Sequence, residues 1–103
     1  MKAVIDGKRY DTNTAQEIAS WSSGYYGSDF KAEEESLYRT IRGNWFLAGA
    51  GGPMTKYSES HGDMTGSGSG IIPLSSKEAL QWLEDKGEIA AIETYFSMSV
   101  EDA

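Results

Sequence analysis

The chain has 103 residues and a formal net charge of −7, from 16 Asp and Glu against 9 Lys and Arg. With no Cys and one His, it excludes a disulfide framework, a thiolate metal site and relay chemistry that needs a second histidine. The acid excess counts against direct binding of nucleic acid or an anionic membrane. A hydrophobic content of 39% is that of a folded chain, read as a single domain over residues 1–103.

In chain order, Lys2 to Tyr10 reads as a β-hairpin, because Asp6-Gly7 is a favoured type I′ turn pair between Val4-Ile5 and Lys8-Arg9-Tyr10. The first six residues carry no long apolar run of a signal peptide, and no segment has the length of a membrane-spanning helix. A helix is expected next. Asp11, Thr12 and Thr14 are candidate N-caps, Thr14 with Glu17 matches a capping box, and Ala15, Ile18, Ala19 and Trp21 supply an apolar stripe for core packing. Ser22 to Phe30 is a Gly/Ser/Tyr loop in which Tyr25 and Tyr26 either fold back or form an exposed recognition pair.

The acidic run Glu33-Glu34-Glu35 follows and is expected to face solvent ahead of the first strong strand. Leu37 to Thr40 and Trp45 to Ala48 read as paired strands around a turn containing Gly43, at the centre of the sheet. Gly49 to Gly70, rich in Gly and Ser, reads as one long loop with little core. Ile71-Ile72 adds a short strand ended by Pro73. Ser75 with Glu78 opens a helix as a capping box, Ala79, Leu80, Trp82 and Leu83 give it an apolar face, and Gly87 ends it. Glu88 to Phe96 reads as a further helix with Ile89, Ile92 and Phe96 on one stripe. The expected fold is therefore α+β: an antiparallel sheet of four to five strands, with the first hairpin in it, and two to three helices packed on one face.

The chain offers little for chemistry. Gly49-Ala50-Gly51-Gly52-Pro53 lacks the Gly-Lys-Ser/Thr ending of a phosphate loop, and a strand exit explains it better. His61-Gly62-Asp63 falls short of a zinc set and is poorly preorganised as a base and its orienter. No catalytic residue, metal or cofactor is assigned, and the chain reads as a non-enzyme. What stands out is the bunching of carboxylates, at Asp29, Glu33, Glu34 and Glu35, and again at Glu84, Asp85, Glu88 and Glu93. Duplex DNA carries one charge per about 1.7 Å of axis. Rows of carboxylates a few ångströms apart imitate it, and their targets are basic surfaces. The plainer reading is a surface that keeps a small protein soluble.

Seven phrases taken together resemble a family. They are Gly7-Lys8-Arg9-Tyr10-Asp11-Thr12, Ser36-Leu37-Tyr38-Arg39-Thr40, Gly43-Asn44-Trp45-Phe46-Leu47, Gly51-Gly52-Pro53, Tyr57-Ser58-Glu59, Ile72-Pro73-Leu74-Ser75 and Glu78-Ala79-Leu80-Gln81-Trp82-Leu83-Glu84. Their order and spacing resemble small acidic proteins of phages and conjugative elements, among which are anti-CRISPR inhibitors of type I Cascade complexes. The resemblance implies a small inhibitor of a nucleic-acid-handling complex, and it brings no catalytic residue. Together these readings point to a DNA-mimicking inhibitor, a monomer in the host cytoplasm. It would bind a nucleic-acid-binding protein subunit of a Cas effector through Asp29, Glu33, Glu34, Glu35, Glu84, Asp85 and Glu88, with Tyr25, Tyr26 or Tyr57 as anchors. The alternative is an interaction module of a mobile element with no inhibitory role.

Overall fold

The computed structural model describes residues 1–23 and 31–103. Asp29, Tyr25 and Tyr26 lie outside the described residues. The fold is α+β. Strands β1 (Lys2–Ile5) and β2 (Lys8–Asp11) form one hairpin; β3 (Gln16–Ser22), β4 (Glu33–Arg39), β5 (Trp45–Gly51) and β8 (Gly68–Leu74) form an antiparallel sheet in the order β3-β4-β5-β8; β6 (Glu59–His61) and β7 (Met64–Gly66) form a second hairpin. Helices α1 (Ser76–Asp85) and α2 (Ile89–Tyr95) follow, with a 3-10 turn at Ser97–Ser99.

The first hairpin forms where Asp6-Gly7 predicts it. Both turn residues have positive φ, 52° and 76°, as a type I′ turn requires. It does not join the main sheet. Tyr10 is buried against Phe46, edge to face at 5.4 Å, and Tyr38 stacks on Phe46 at 5.2 Å. The hairpin thus covers one face of the sheet while the helices cover the other. On the helix side Leu37, Trp45 and Leu47 pack with Ala79, Trp82 and Leu83, flanked by Ile18, Ala19, Trp21, Ile72, Leu74, Ile92 and Phe96. Burying a side chain such as Leu37 or Leu83, both fully enclosed, is worth about 1.5–3 kcal/mol.

Helix α1 begins as its sequence specifies. The Ser75 hydroxyl accepts from Glu78 N–H at 3.1 Å, and Glu78 accepts in turn from Ser75 N–H at 2.9 Å. Gly87, at φ 70°, then ends it in the left-handed conformation.

Besides the hairpin's separation from the sheet, three further expectations fail. The helix expected from Thr14 is strand β3. Asp11 Oδ1 accepts from Asn13 N–H at 2.9 Å, and the Thr14 hydroxyl donates to Asp11 C=O at 3.4 Å, so the capping box with Glu17 does not form. A β-bulge between Glu17 and Ala19 inserts an extra residue, which spaces Ile18, Ala19 and Trp21 as a helix stripe would be spaced. Beyond the bulge the strand alternation is plain: Ala19 and Trp21 half-buried, Ser20 and Ser22 exposed.

The Gly49–Gly70 segment is not one loop. β5 runs on to Gly51, β6 and β7 pair, and β8 starts at Gly68. Nor does Pro73 end a strand. It lies inside β8, opposite Phe46. β8 is an edge strand, where a proline need not cost a ladder bond.

Candidate functional site

The sheet brings one of the expected surface carboxylates inside. β4 starts at Glu33, so strand alternation divides the acidic run: Glu34 is exposed, Glu33 half-buried and Glu35 buried at 3% exposure. Glu35 faces the helices on the side of Leu37, with Gly49 opposite it on β5 and Trp21 opposite it on β3.

The chain builds a socket for this carboxylate. After β5 it turns back through Thr55 N–H to Gly52 C=O, 3.1 Å, and Ser58 N–H to Thr55 C=O, 3.1 Å. Thr55 fixes the bend, its hydroxyl donating to Gly52 C=O at 2.9 Å and accepting from Tyr57 N–H at 3.2 Å. Tyr57 is thereby laid over Gly49, where a Cβ would overlap its ring. The Tyr57 hydroxyl donates to Glu35 Oε2 at 2.6 Å, and Lys56 Nζ approaches the same oxygen at 2.7 Å. From α1, Trp82 Nε1–H donates to Oε1 at 3.0 Å. Beside this group Lys86 Nζ stands 3.6 Å over the Trp21 ring, tying the end of α1 to the edge strand β3.

Burial alone would raise the Glu35 carboxyl. The hydrogen bonds from Lys56, Tyr57 and Trp82, with the charge of Lys56, outweigh it and hold the group below its ordinary 4.5. Tyr57 moves the other way: burial, then the hydrogen bond to Glu35 and its negative charge, keep the phenol protonated far above its ordinary range. Both Glu35 oxygens are engaged and its side chain is 1% exposed. This is an anchor that joins the sheet, the segment after β5 and helix α1. It is not a surface for a partner.

The expectation of an exposed Glu33–Glu35 row is therefore corrected, as is that of Tyr57 as an exposed anchor, since Tyr57 is 5% exposed. Glu33 lies 3.9 Å from Lys56. Glu34 lies on the other face of the sheet, at a cleft of about 420 Å³ lined by Ser20, Ser36, Ala48 and Ala50 among others. Sequence reasoning missed Lys56, Trp82 and Lys86 as partners. One signal was available: Lys56 is the only Lys or Arg between Arg42 and Lys77.

The second carboxylate group lies around the end of α1 and on α2. Glu84 and Asp85 are exposed on the last turn of α1, Glu88 is half-buried at the N-cap of α2, and Glu93 is exposed. From Ser76 to Ala103 there are seven carboxylates against two lysines, a net of −5 within the chain's −7. Exposed apolar side chains alternate with these charges along the chain: Ile89 at 67%, Met98 at 97% and Val100 at 50%.

Among the described residues no group of three or more His, Asp or Glu is placed to hold a metal ion, and no helix is long and apolar enough to cross a membrane. No family model, curated protein or solved structure matches the chain.

Proposed function

We propose that the chain is a non-enzymatic inhibitor of a bacterial CRISPR-Cas complex. It sets its acidic helical layer, Glu84, Asp85 and Glu88 foremost, on a positively charged DNA-binding surface of one subunit. It acts as a monomer in the host cytoplasm and needs no cofactor. The observation that carries the reading is the concentration of net charge −5 in residues 76–103, with exposed Ile89, Met98 and Val100 in the same segment. Charge steers the encounter and selects a basic partner, and apolar side chains among polar ones supply contact area. The target class comes from the sequence phrases that resemble anti-CRISPR proteins.

The test is DNA binding by a purified type I Cascade complex, with and without this protein, at low and raised salt. Wild type is expected to inhibit, and less so as salt screens the charges. The triple reversal of Glu84, Asp85 and Glu88 to Lys should lose inhibition while its far-ultraviolet circular dichroism stays unchanged. A folded reversal that inhibits like wild type reduces the layer to a solubility surface. A wild type without effect leaves the interaction module of a mobile element. Reversing Glu33–Glu35 cannot serve as a second test, because Glu35 holds the fold; Glu34→Lys alone is the usable variant there.

A further inference from the structure

At the opposite extreme of charge, a cleft of about 510 Å³ opens between the first hairpin and the turn joining β4 to β5. Its walls carry Lys8, Arg9 and Arg42, all exposed, with Thr14, Thr40 and Asn44 as hydrogen-bonding neighbours. One carboxylate, Asp11, shares the lining, and its Oδ1 is already engaged by Asn13 N–H. Among the described residues Lys8, Arg9 and Arg42 form no ion pair; the salt bridges there belong to Lys56. Three cationic residues thus line one cleft against one carboxylate, Lys8 on the strand face of buried Tyr10 and Arg9 on the other, in a protein whose net charge is −7.

The cleft is built on rigid parts. The type I′ turn at Asp6-Gly7 sets where Lys8 and Arg9 begin the return strand, and buried Tyr10 fastens that strand to Phe46. On the other wall Gly43, at φ 87°, closes the turn just after Arg42, with Gly43 N–H bonded to Thr40 C=O at 2.9 Å. Thr40 Oγ1 accepts from Asn44 N–H at 3.0 Å, which leaves its own O–H to donate.

We propose that this cleft binds a small phosphate-chain anion. Arginine forks and a lysine point charge are the donors that phosphate oxygens take best. The volume lies in the range of small-molecule sites, about 300–1,000 Å³. The size of the ligand follows from charge. A long polyanion such as nucleic acid meets the repulsion of the whole acidic chain, whereas a compact one stays within a Debye length of about 8 Å around the three cations. The inference does not rest on the function proposed above.

Isothermal titration calorimetry of the full chain with tripolyphosphate tests it, with ATP and citrate as parallel probes. Saturable binding of one tripolyphosphate per chain is expected, weakening with salt. Arg42→Gln and Lys8→Gln should each weaken it on the order of tenfold, the loss of one charged hydrogen bond, while Lys77→Gln on α1 leaves it unchanged. Equal affinity for ATP would mean that the phosphate chain alone is read, and tighter binding of ATP would mean that a nucleotide is; both support the site. The proposal is overturned if wild type shows no saturable binding, if citrate binds as well, or if the cleft variants match wild type. A dimer in sedimentation velocity that Arg42→Gln dissociates and tripolyphosphate does not would also overturn it, because the cleft would then hold the acidic layer of a second copy.

Discussion

Glu33-Glu34-Glu35 in β4 and Glu84-Asp85 with Glu88 around the end of α1 are similar stretches of charge that meet different fates. A strand sends successive side chains to opposite faces, so the first run is split and its third member is carried into the core side of a covered sheet. The end of a surface helix and the cap of the next keep the second run at the surface. The same residue type is an internal anchor in one place and an outer charge in the other. What decides is the period of the backbone together with what covers each face.

The widest gap between the two runs should be in stability. Glu35→Ala leaves Lys56 without its close partner and two buried donors, from Tyr57 and Trp82, unpaired. Lys56 is 47% exposed and returns to water, so a loss of about 2–6 kcal/mol is expected from the two donors left unsatisfied, at about 1–3 kcal/mol each. Glu84→Ala, exposed and in no ion pair among the described residues, should stay within about 0.5 kcal/mol of wild type. Urea unfolding of both variants measures the gap, and equal losses would erase the distinction.

A smaller effect probes the socket without touching charge. Gly49→Ala forces the Tyr57 ring away from the sheet and from Glu35. Overpacking of this kind costs about 1–3 kcal/mol, and the melting temperature should fall accordingly. An unchanged melting temperature would show that Tyr57 is not seated on Gly49.

Much of this architecture is legible in the sequence where a local signal acts. Asp6-Gly7 names its turn, Ser75 with Glu78 names the start of α1, and Leu37 to Ala48 reads as paired strands. Legibility fails where the cause is distant or irregular. The bulge in β3 disguises a strand as a helix stripe. The burial of Glu35 depends on Tyr57, 22 residues away, and on Trp82, 47 residues away, so no window of sequence around the acidic run contains the reason. Gly49, paired with Gly70 across β5 and β8, looks like a loop glycine until Tyr57 is seen occupying the space where its Cβ would lie.

Acid should separate the runs more gently. Because the folded Glu35 carboxyl lies below its ordinary 4.5, the unfolded chain binds more protons between the two values, and stability rises with pH across that window. The contribution is complete above about 4.5 and is lost as pH falls through the lowered folded value. Glu35→Gln cannot titrate. It should start less stable at neutral pH and lose less than wild type on acidification, as followed by urea midpoints across the acid range.

The most direct measurement is the titration of the Glu35 side-chain carboxyl carbon by NMR in the wild-type protein. A carboxylate held by Lys56, Tyr57 and Trp82 titrates below 4.5, and the Tyr57 phenol remains protonated beyond its ordinary 10. A Glu35 midpoint at or above 4.5 would mean that burial outweighs its partners or that the partners are absent, and would contradict the division of the two acidic runs into anchor and surface.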